Sequence, residues 1–523
     1  VLKKFCNSKN IQPKLKFDFI SVHEVYKELC LLKQSNARGL DDLDSKILSV
    51  SAPIISEHLT YIYNLCIEKC YFPHAFKDAK VLPLFKSGDL EDPSNYRPIS
   101  ILSTLSKPLE KHLKWNIQSH FTTYNLFHPN QSGFRKNHSC HTLLTNLLEQ
   151  WHENINNDLL SGTVFVDFAK AFDTIDHDLL LKKLVMYGLS PGSLELVSSF
   201  LKNRRQAVLQ DNVISSFMPI TYGVPQGSVL GPILFSVYIN DLPMNVSSSC
   251  ELFADDTTVH NKGKNAELVC KHLQTDINKV MKWSELNHMA LHPQKSKFML
   301  VTTRQKRQNI KSKLTDLKVN GKVLEEVNSY KLLGLNIDNN LSWSHHVSTL
   351  SKKLSKKVFQ LNRIKHFLDH HTRKLFFSAY IQPDIDYAST CWDLASKNCL
   401  KPLESLYRRS IKLILLKSSS LLNEDYKKLN ILPLNLRFRF NKGVFMYKVM
   451  KNLAPPYLYE KFPVKNIRGK SIIFTPRPRT DLFMSSLVYS GSKIWNELPE
   501  HLKQKSSLSL FKKAYQSYLF EML

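Results

Sequence analysis

Two acidic signatures constrain this chain more than any other feature. One is Val164-Phe165-Val166-Asp167-Phe168-Ala169-Lys170-Ala171-Phe172-Asp173, and the other is Phe253-Ala254-Asp255-Asp256. Each reads as a β-strand that ends in carboxylate, because β-branched and aromatic residues suit a pleated, half-buried surface. Together such strand ends could hold two divalent metal ions, about 3.5–4 Å apart. That arrangement stabilises the attacking and leaving oxygens of an in-line phosphoryl displacement. As a bare dipeptide, Asp255-Asp256 would be a hairpin turn. Its apolar flank, Leu252-Phe253-Ala254, raises the functional reading, since a doubled carboxylate between strand-forming residues has poor structural reasons to exist. Asp173, Asp176 and Asp178 are read more plainly, as a solvated turn and a helix N-terminus.

The formal charge of +27 points to a polyanionic substrate, and nucleic acid is the first candidate. The charge is uneven. Residues 1–300 hold 32 Lys+Arg against 29 Asp+Glu, whereas residues 301–523 hold 40 against 16. The first part reads as a near-neutral catalytic body and the second as a surface that follows a phosphate backbone. Hydrophobic residues at 43% and charged residues at 22% are an ordinary globular balance, so disorder is not the leading reading. The 9 cysteines have no regular spacing and no C-x-x-C pair, which argues against a zinc finger. Cys66 and Cys70 fit a helix face. Reduced thiols in an intracellular protein are the expectation. The most apolar stretch, Val229 to Ile239, is too short to span a bilayer, so no membrane is expected. The opening Val1-Leu2-Lys3-Lys4 is expected to continue a longer reading frame.

Periodicity predicts helices on both sides of a break at Gly39 to Asp44. Lys80 to Lys86 reads as a strand, Ser87-Gly88-Asp89 as a turn, and Asn95 to Ile99 as extended. Helices are expected at Ser106–Leu113, His141–Asn154, Asp178–Tyr187 and Ser228–Asp241. Leu252–Val259 should fold as a hairpin around Asp255 and Asp256. From Ser344 a long helix carries Val347, Leu350, Leu354, Val358, Leu361 and Ile364 on one face, with Lys352, Lys353, Lys356 and Lys357 largely elsewhere. Pro-rich connectors, Ala454-Pro455-Pro456 and Thr475-Pro476-Arg477-Pro478-Arg479, interrupt the last hundred residues.

Nucleotidyl transfer needs carboxylates for metal, cations for a triphosphate and a pocket for template and primer. Asp167, Asp255 and Asp256 supply the first. Lys86 and Arg97 flank the early turn and could clamp phosphates, Arg97 through a bidentate fork; the plain alternative is a solvated basic hairpin. Arg135 is a candidate for a nucleic-acid contact or a structural ion pair. Gly227 would let backbone approach a base pair, with Gln226 beside it; the plain alternative is a turn before a helix.

Five motifs stand in order along the chain: Asn95-Tyr96-Arg97-Pro98-Ile99-Ser100; Gln131-Ser132-Gly133-Phe134-Arg135; Val166-Asp167 to Phe172-Asp173; Gly223-Val224-Pro225-Gln226-Gly227-Ser228-Val229-Leu230-Gly231-Pro232; and Phe253-Ala254-Asp255-Asp256. This set resembles the reverse transcriptase of non-LTR (LINE-type) retrotransposons, nearest to jockey-like elements, over about residues 15–340. The resemblance implies an α+β right-hand polymerase with fingers, palm and thumb. Its parts would be a helical N-terminal extension at 1–75, fingers and palm at 76–340, a thumb-like basic helical region at 341–420, and a basic, mostly helical C-terminal region at 421–523. It implies Mg²⁺ as cofactor, two ions with Mn²⁺ as the alternative, on Asp167 and Asp255 with Asp256 beside them. It makes Phe172 the gate against a ribose 2′-hydroxyl, Arg97 and Lys86 triphosphate contacts, and Gln226-Gly227 the neighbour of the nascent pair. Lys295 resembles the lysine that protonates departing pyrophosphate, although His292 stands where the family has Asn. Tyr330-Lys331-Leu332-Leu333-Gly334 resembles a primer grip. Arg135, Lys352, Lys353, Lys356 and Lys357 are assigned to nucleic acid.

The implied partners are an RNA template, a DNA primer or target and dNTPs. Nothing in the sequence matches the endonuclease that such elements carry, so one encoded upstream or supplied in trans is expected. The implied location is the nucleus for target-primed synthesis and the cytoplasm for assembly with RNA. Pro383-Asp384-Ile385-Asp386 has a faint likeness to a nuclease site and is read as an ordinary turn. Two other readings compete: an element-derived protein that only binds nucleic acid, and a metal nuclease built on the same carboxylates.

Overall fold

Strand-forming runs and amphipathic helices alternate irregularly along this chain, and the fold they make is α+β. The computed structural model describes residues 1–12, 14–35, 37–310, 316–467 and 470–523. Nine strands matter to the site: β1 (Ala79–Phe85), β2 (Tyr96–Ile101), β3 (Leu160–Val166), β4 (Arg204–Gln210), β5 (Val213–Ile214), β6 (Met218–Ile220), β7 (Ser249–Phe253), β8 (Asp256–Gly263) and β9 (Lys297–Val301). An outer sheet runs β2-β1-β4-β5, with β6 also on β4. A central five-stranded sheet has β3 in the middle, with β8 and β7 on one side and β9 and the Glu325–Glu326 strand on the other.

The composition of β3 follows from that position. Every residue of β3 is buried. Val164 and Val166 point into one core, with the N-terminal helices and the Ala266–Leu286 helix. Phe165 points into another, with the Cys140–Asn156 helix, the Ser344–Ile364 helix and the Lys397–Leu415 helix. A strand covered on both faces favours a continuous apolar run, which Val164-Phe165-Val166 supply, while Ser161 and Thr163 are buried polar residues in the first half. Met299 and Val301 of β9 repeat the pattern on the second side, and Phe298 and Leu300 on the first. A third core gathers the Leu434–Met450, Leu487–Glu497 and Leu508–Glu521 helices.

Several sequence expectations shift. The Ser106 helix runs on to Thr123 because Ile117 and Phe121 continue its buried face. The helix expected from Ser228 starts at Gly231, since Ser228 to Leu230 form a turn that Glu110 holds. Pro383 to Asp386 lie in a short helix, Gln382–Asp386, and make no turn. All nine cysteines are free. No described helix is long and apolar enough to cross a membrane.

Candidate active site

Register brings the two acidic signatures together. β3 and β8 are antiparallel with Val166 opposite Thr257, so the next step places Asp167 across from Asp256 at the head of β8. Asp167 stands one residue beyond its strand, and its backbone is fixed on both sides. Its N–H donates to Ser296 Oγ at 3.1 Å, and its carbonyl accepts the His292 N–H at 2.8 Å. The same loop carries Lys295, which is exposed.

The β7–β8 turn is held from outside. Ala254 takes a left-handed conformation (φ 55°), unusual for a residue with a Cβ. The Gln131–Arg135 segment lies against it. Leu252 N–H donates to Asn130 O at 3.0 Å, and Ser132 N–H donates to Leu252 O at 2.8 Å. A Cβ on Gly133 would stand 2.5 Å from Ala254 N, so only glycine lets the loop approach so closely. Arg135 is tied to this loop's own backbone. Its guanidinium donates to the carbonyls of His128 (3.1 Å) and Gln131 (2.7 Å) and lies over the Phe127 ring. Within the chain Arg135 thus braces this loop. The reason is local: two carbonyls turned inward need donors.

The electrostatics are those of crowded anions. Burial, the Asp255 carboxylate and the Asp167 carboxylate push Asp256 up to about 6. Burial and Asp167 also raise Asp255, while Arg97 and Lys86 pull it back. Protein surrounds both carboxylates on most sides, yet they open on the cleft and solvent reaches them. Lys86 and Arg97 approach from the outer sheet, where the Lys86 N–H to Asn95 O bond (2.9 Å) closes the β1–β2 hairpin. Tyr330 arrives from the third side. Its ring stacks on Phe165 at 3.9 Å, and burial with the Asp256 and Asp167 charges pushes its phenol up to about 12. Among the described residues, no three acidic, His or Cys side chains already stand at ligand spacing. The donor set still fits a hard cation: clustered carboxylate oxygens, half desolvated and mutually repelling, whose charge Mg²⁺ or Mn²⁺ would neutralise.

A second turn borders the cleft. Gln226 Nε2 donates to Asp173 at 2.8 Å, and the Val224 N–H donates to Phe172 O at 2.9 Å. Asp173 is therefore half-buried, with its carboxyl raised by burial, and the expectation of a solvated turn is wrong. Gly227 (φ 133°) makes a close approach, but to protein: a Cβ there would fall 2.3 Å from Ser100 O of β2. The Ser100 N–H to Gln226 O bond (2.7 Å) completes the lacing of this turn to the outer sheet. Phe172 stacks on Phe235 at 4.3 Å and remains half-buried.

The basic helix divides. Lys353 and Lys357 both reach Asp384, at 2.9 and 2.7 Å, and Lys357 also donates to Tyr380 O. These two lysines hold the Gln382–Asp386 helix by sharing one carboxylate, Lys357 half-buried and Lys353 still exposed. Asp386 is likewise occupied, by Arg437 and Asn441. Lys352 and Lys356 are exposed. Sequence reasoning missed Ser296, which orients Asp167, and Glu110, a buried carboxylate that accepts the Val229 and Leu230 N–H groups at 2.7 and 3.1 Å. A glutamate on the apolar face of the Ser106 helix was the available signal for the second.

Residues 85–337 match the family model "Reverse transcriptase (RNA-dependent DNA polymerase)". Over 77% of this chain, the RNA-directed DNA polymerase from mobile element jockey of Drosophila melanogaster is 26% identical, with 44% of that protein covered. The probable RNA-directed DNA polymerase from transposon BS of the same fly is 25% identical over 77% of this chain and 45% of its own length. That from transposon X-element is 26% identical over 73% and 43%. The chain thus spans less than half the length of these curated relatives. Residues 85–337 are thus similar to reverse transcriptase domains, and the chain around them is similar to RNA-directed DNA polymerases of mobile elements.

Proposed function

We propose that this chain is an RNA-directed DNA polymerase that extends a DNA 3′-end on an RNA template, serving a non-LTR element by target-primed synthesis. One observation carries the reading: the β3–β8 register sets Asp167 across from Asp256, with Asp255 beside it, and the outer sheet brings Lys86 and Arg97 to the same carboxylates. Anions that crowd opposite cations suit a cation-assisted transfer between phosphates. In this reading the outer sheet serves as fingers, the central sheet as palm and the helices after Ser344 as thumb.

Asp167 and Asp255 would hold two divalent ions, with Asp256 adjacent. Such ions would supply charge stabilisation to an in-line phosphoryl displacement. Arg97 grips the triphosphate through its fork and Lys86 as a point charge. Phe172 bounds the sugar at C2′, and Gln226-Gly227 sits beside the nascent pair. The 3′-hydroxyl gives its proton to water, its oxygen bonds to the α-phosphorus, the bond from that phosphorus to the bridging oxygen breaks, and Lys295 gives a proton to the departing pyrophosphate. Lys352, Lys356 and other exposed cations after residue 300 track the phosphate backbone. The DNA nick comes from an endonuclease encoded upstream or supplied in trans, and synthesis takes place in the nucleus after assembly with RNA in the cytoplasm.

The test is primer extension on poly(rA)/oligo(dT) with Mg²⁺. Asp167→Asn and Asp255→Asn should each lose about 10²-fold or more of the rate, since several kcal/mol of transition-state stabilisation is at stake. Primer-template affinity should stay near wild type, because remote Lys and Arg dominate it. Near-normal extension by either variant would overturn the assignment. Binding without any extension by the unaltered chain would favour a nucleic-acid-binding protein.

A further inference from the structure

The two Pro-rich connectors lie far from the carboxylates in sequence, yet both end on the body that carries them. Pro455 (φ −59°, ψ 146°) leads into the short Pro456–Tyr459 helix, whose first residue is also proline. Prolines fix the backbone here, so Tyr457 is delivered in one orientation. Its hydroxyl lies 3.2 Å from Ser132 Oγ, and its ring meets His138 edge-on at 6.0 Å. Ser132 in turn donates its N–H to Leu252 O, and its neighbour Gly133 abuts Ala254. Two residues therefore separate Tyr457 from the turn that presents Asp255 and Asp256.

Other attachments hold the C-terminal unit in this position. Glu149, 5% exposed, accepts the N–H groups of Leu487 (2.6 Å) and Val488 (2.9 Å) at the start of the Leu487–Glu497 helix. The Arg479 N–H, at the end of the second Pro-rich connector, donates to Asn156 Oδ1 at 2.7 Å. His141 packs its ring on Phe445 at 4.4 Å. Asn156, Glu149 and His141 all belong to the Cys140–Asn156 helix. The C-terminal unit thus lies along one helix of the catalytic body, and Tyr457 reaches past it to the loop behind the carboxylates.

We propose that Tyr457 is a positioning residue for the Asp255-Asp256 turn, acting through Ser132. The proposal rests on the polymerase reading above. Tyr457 touches neither substrate nor metal; it sets the loop on which the turn leans, so the C-terminal unit governs how well the carboxylates bind cation.

The experiment uses the full chain with Tyr457→Phe, Ser132→Ala and the double variant. Three quantities are read: Mn²⁺ affinity by calorimetry on the protein without nucleic acid, the Mg²⁺ concentration for half-maximal dNTP incorporation, and Tm. Each single variant should weaken Mn²⁺ binding and raise the Mg²⁺ midpoint about 2- to 10-fold, the range that one net hydrogen bond carries. The double variant should be no worse than either single one, since both remove the same bond. Tm should fall by no more than a few degrees, because phenylalanine keeps the ring packing. Unchanged cation affinity in folded variants, or effects that simply add, would overturn the proposal. Should Tyr457→Phe fail to fold, Ser132→Ala alone decides through the same two cation readings. Failure of the polymerase reading looks different: Asp255→Asn would then extend primers normally, whatever Tyr457→Phe does.

Discussion

Phe172 shows how one side chain can have a packed face and an open one. Its ring stacks on Phe235 with 20° between planes and meets Phe134 edge-on at 6.4 Å. These neighbours cover part of the ring, and the rest borders the cleft. A gate against the 2′-hydroxyl needs such a residue, rigid behind and bulky in front. Phe172→Val should therefore have two effects. Removing the stack should lower stability by about 0.5–1.5 kcal/mol beyond the effect of the smaller buried area. Ribonucleotide incorporation should rise relative to deoxynucleotide. Single-nucleotide extension with dNTP and rNTP in parallel measures the ratio, and an unchanged ratio in a folded variant sinks the gate. Gly133 makes a different point. A methyl group there meets Ala254 N at 2.5 Å, and both partners are backbone. Gly133→Ala should cost about 1–3 kcal/mol, as overpacking does. It should also slow dNTP incorporation, because the carboxylate turn is what moves. A Tm and a kcat like those of the unaltered chain would show that the loop yields freely.

The Ser344–Ile364 helix separates charge that binds outward from charge that binds the fold. Lys352→Gln with Lys356→Gln should lower the salt slope of nucleic-acid binding by about 0.7–0.9 for each phosphate no longer neutralised, with Tm unchanged. Lys353→Gln with Lys357→Gln should do the reverse. It leaves Asp384, whose side chain is 18% exposed, without its partners, and should lower Tm while the slope holds. Filter binding over a salt series, with thermal melts beside it, separates the two pairs; equal slopes and equal melts for both would refute the division. Helical periodicity exposed the apolar seam of this helix, because burial repeats with the turn. It had no means of telling Lys352 from Lys353, since the partner carboxylate lies 31 residues away from Lys353. The same limit explains Arg135 and Gly227. Their motif neighbours were legible, but the loop path that turns the His128 carbonyl toward Arg135 was not, and Ser100, which leaves no room for a Cβ on Gly227, becomes its neighbour only through tertiary folding. β3 was legible for the opposite reason: a strand buried on both faces writes its environment into consecutive residues.

At the scale of the whole molecule, charge and packing disagree about the C-terminal region. Net charge after residue 300 suggests a basic appendage whose removal weakens binding. Packing makes it part of the folding unit. Leu434 and Phe438 belong to the same core as Phe165, Trp151 and Val347. Lys442, 1% exposed, pairs at 2.8 Å with Asp393, and Arg437 pairs with Asp386, so residues after 420 neutralise carboxylates before it. Glu149 would lose both N–H donors. Breaking one buried pair by removing a partner costs about 3–5 kcal/mol, a large share of the roughly 5–15 kcal/mol that holds a typical domain together. A chain ending at residue 420 loses one such pair, Lys442–Asp393, together with the partly buried Arg437–Asp386 pair, two acceptor bonds and part of a core at once. It should fail to fold and should aggregate, which ordinary salt titration would misread as weakened affinity. Point changes that leave the carboxylates partnered, such as Lys512→Gln or Lys513→Gln on the exposed surface, should keep Tm and report on charge alone. Size-exclusion chromatography and near-ultraviolet circular dichroism of the truncated chain decide the matter. A monodisperse fragment with native aromatic signals that still extends primers would show that the third core stands apart from the other two.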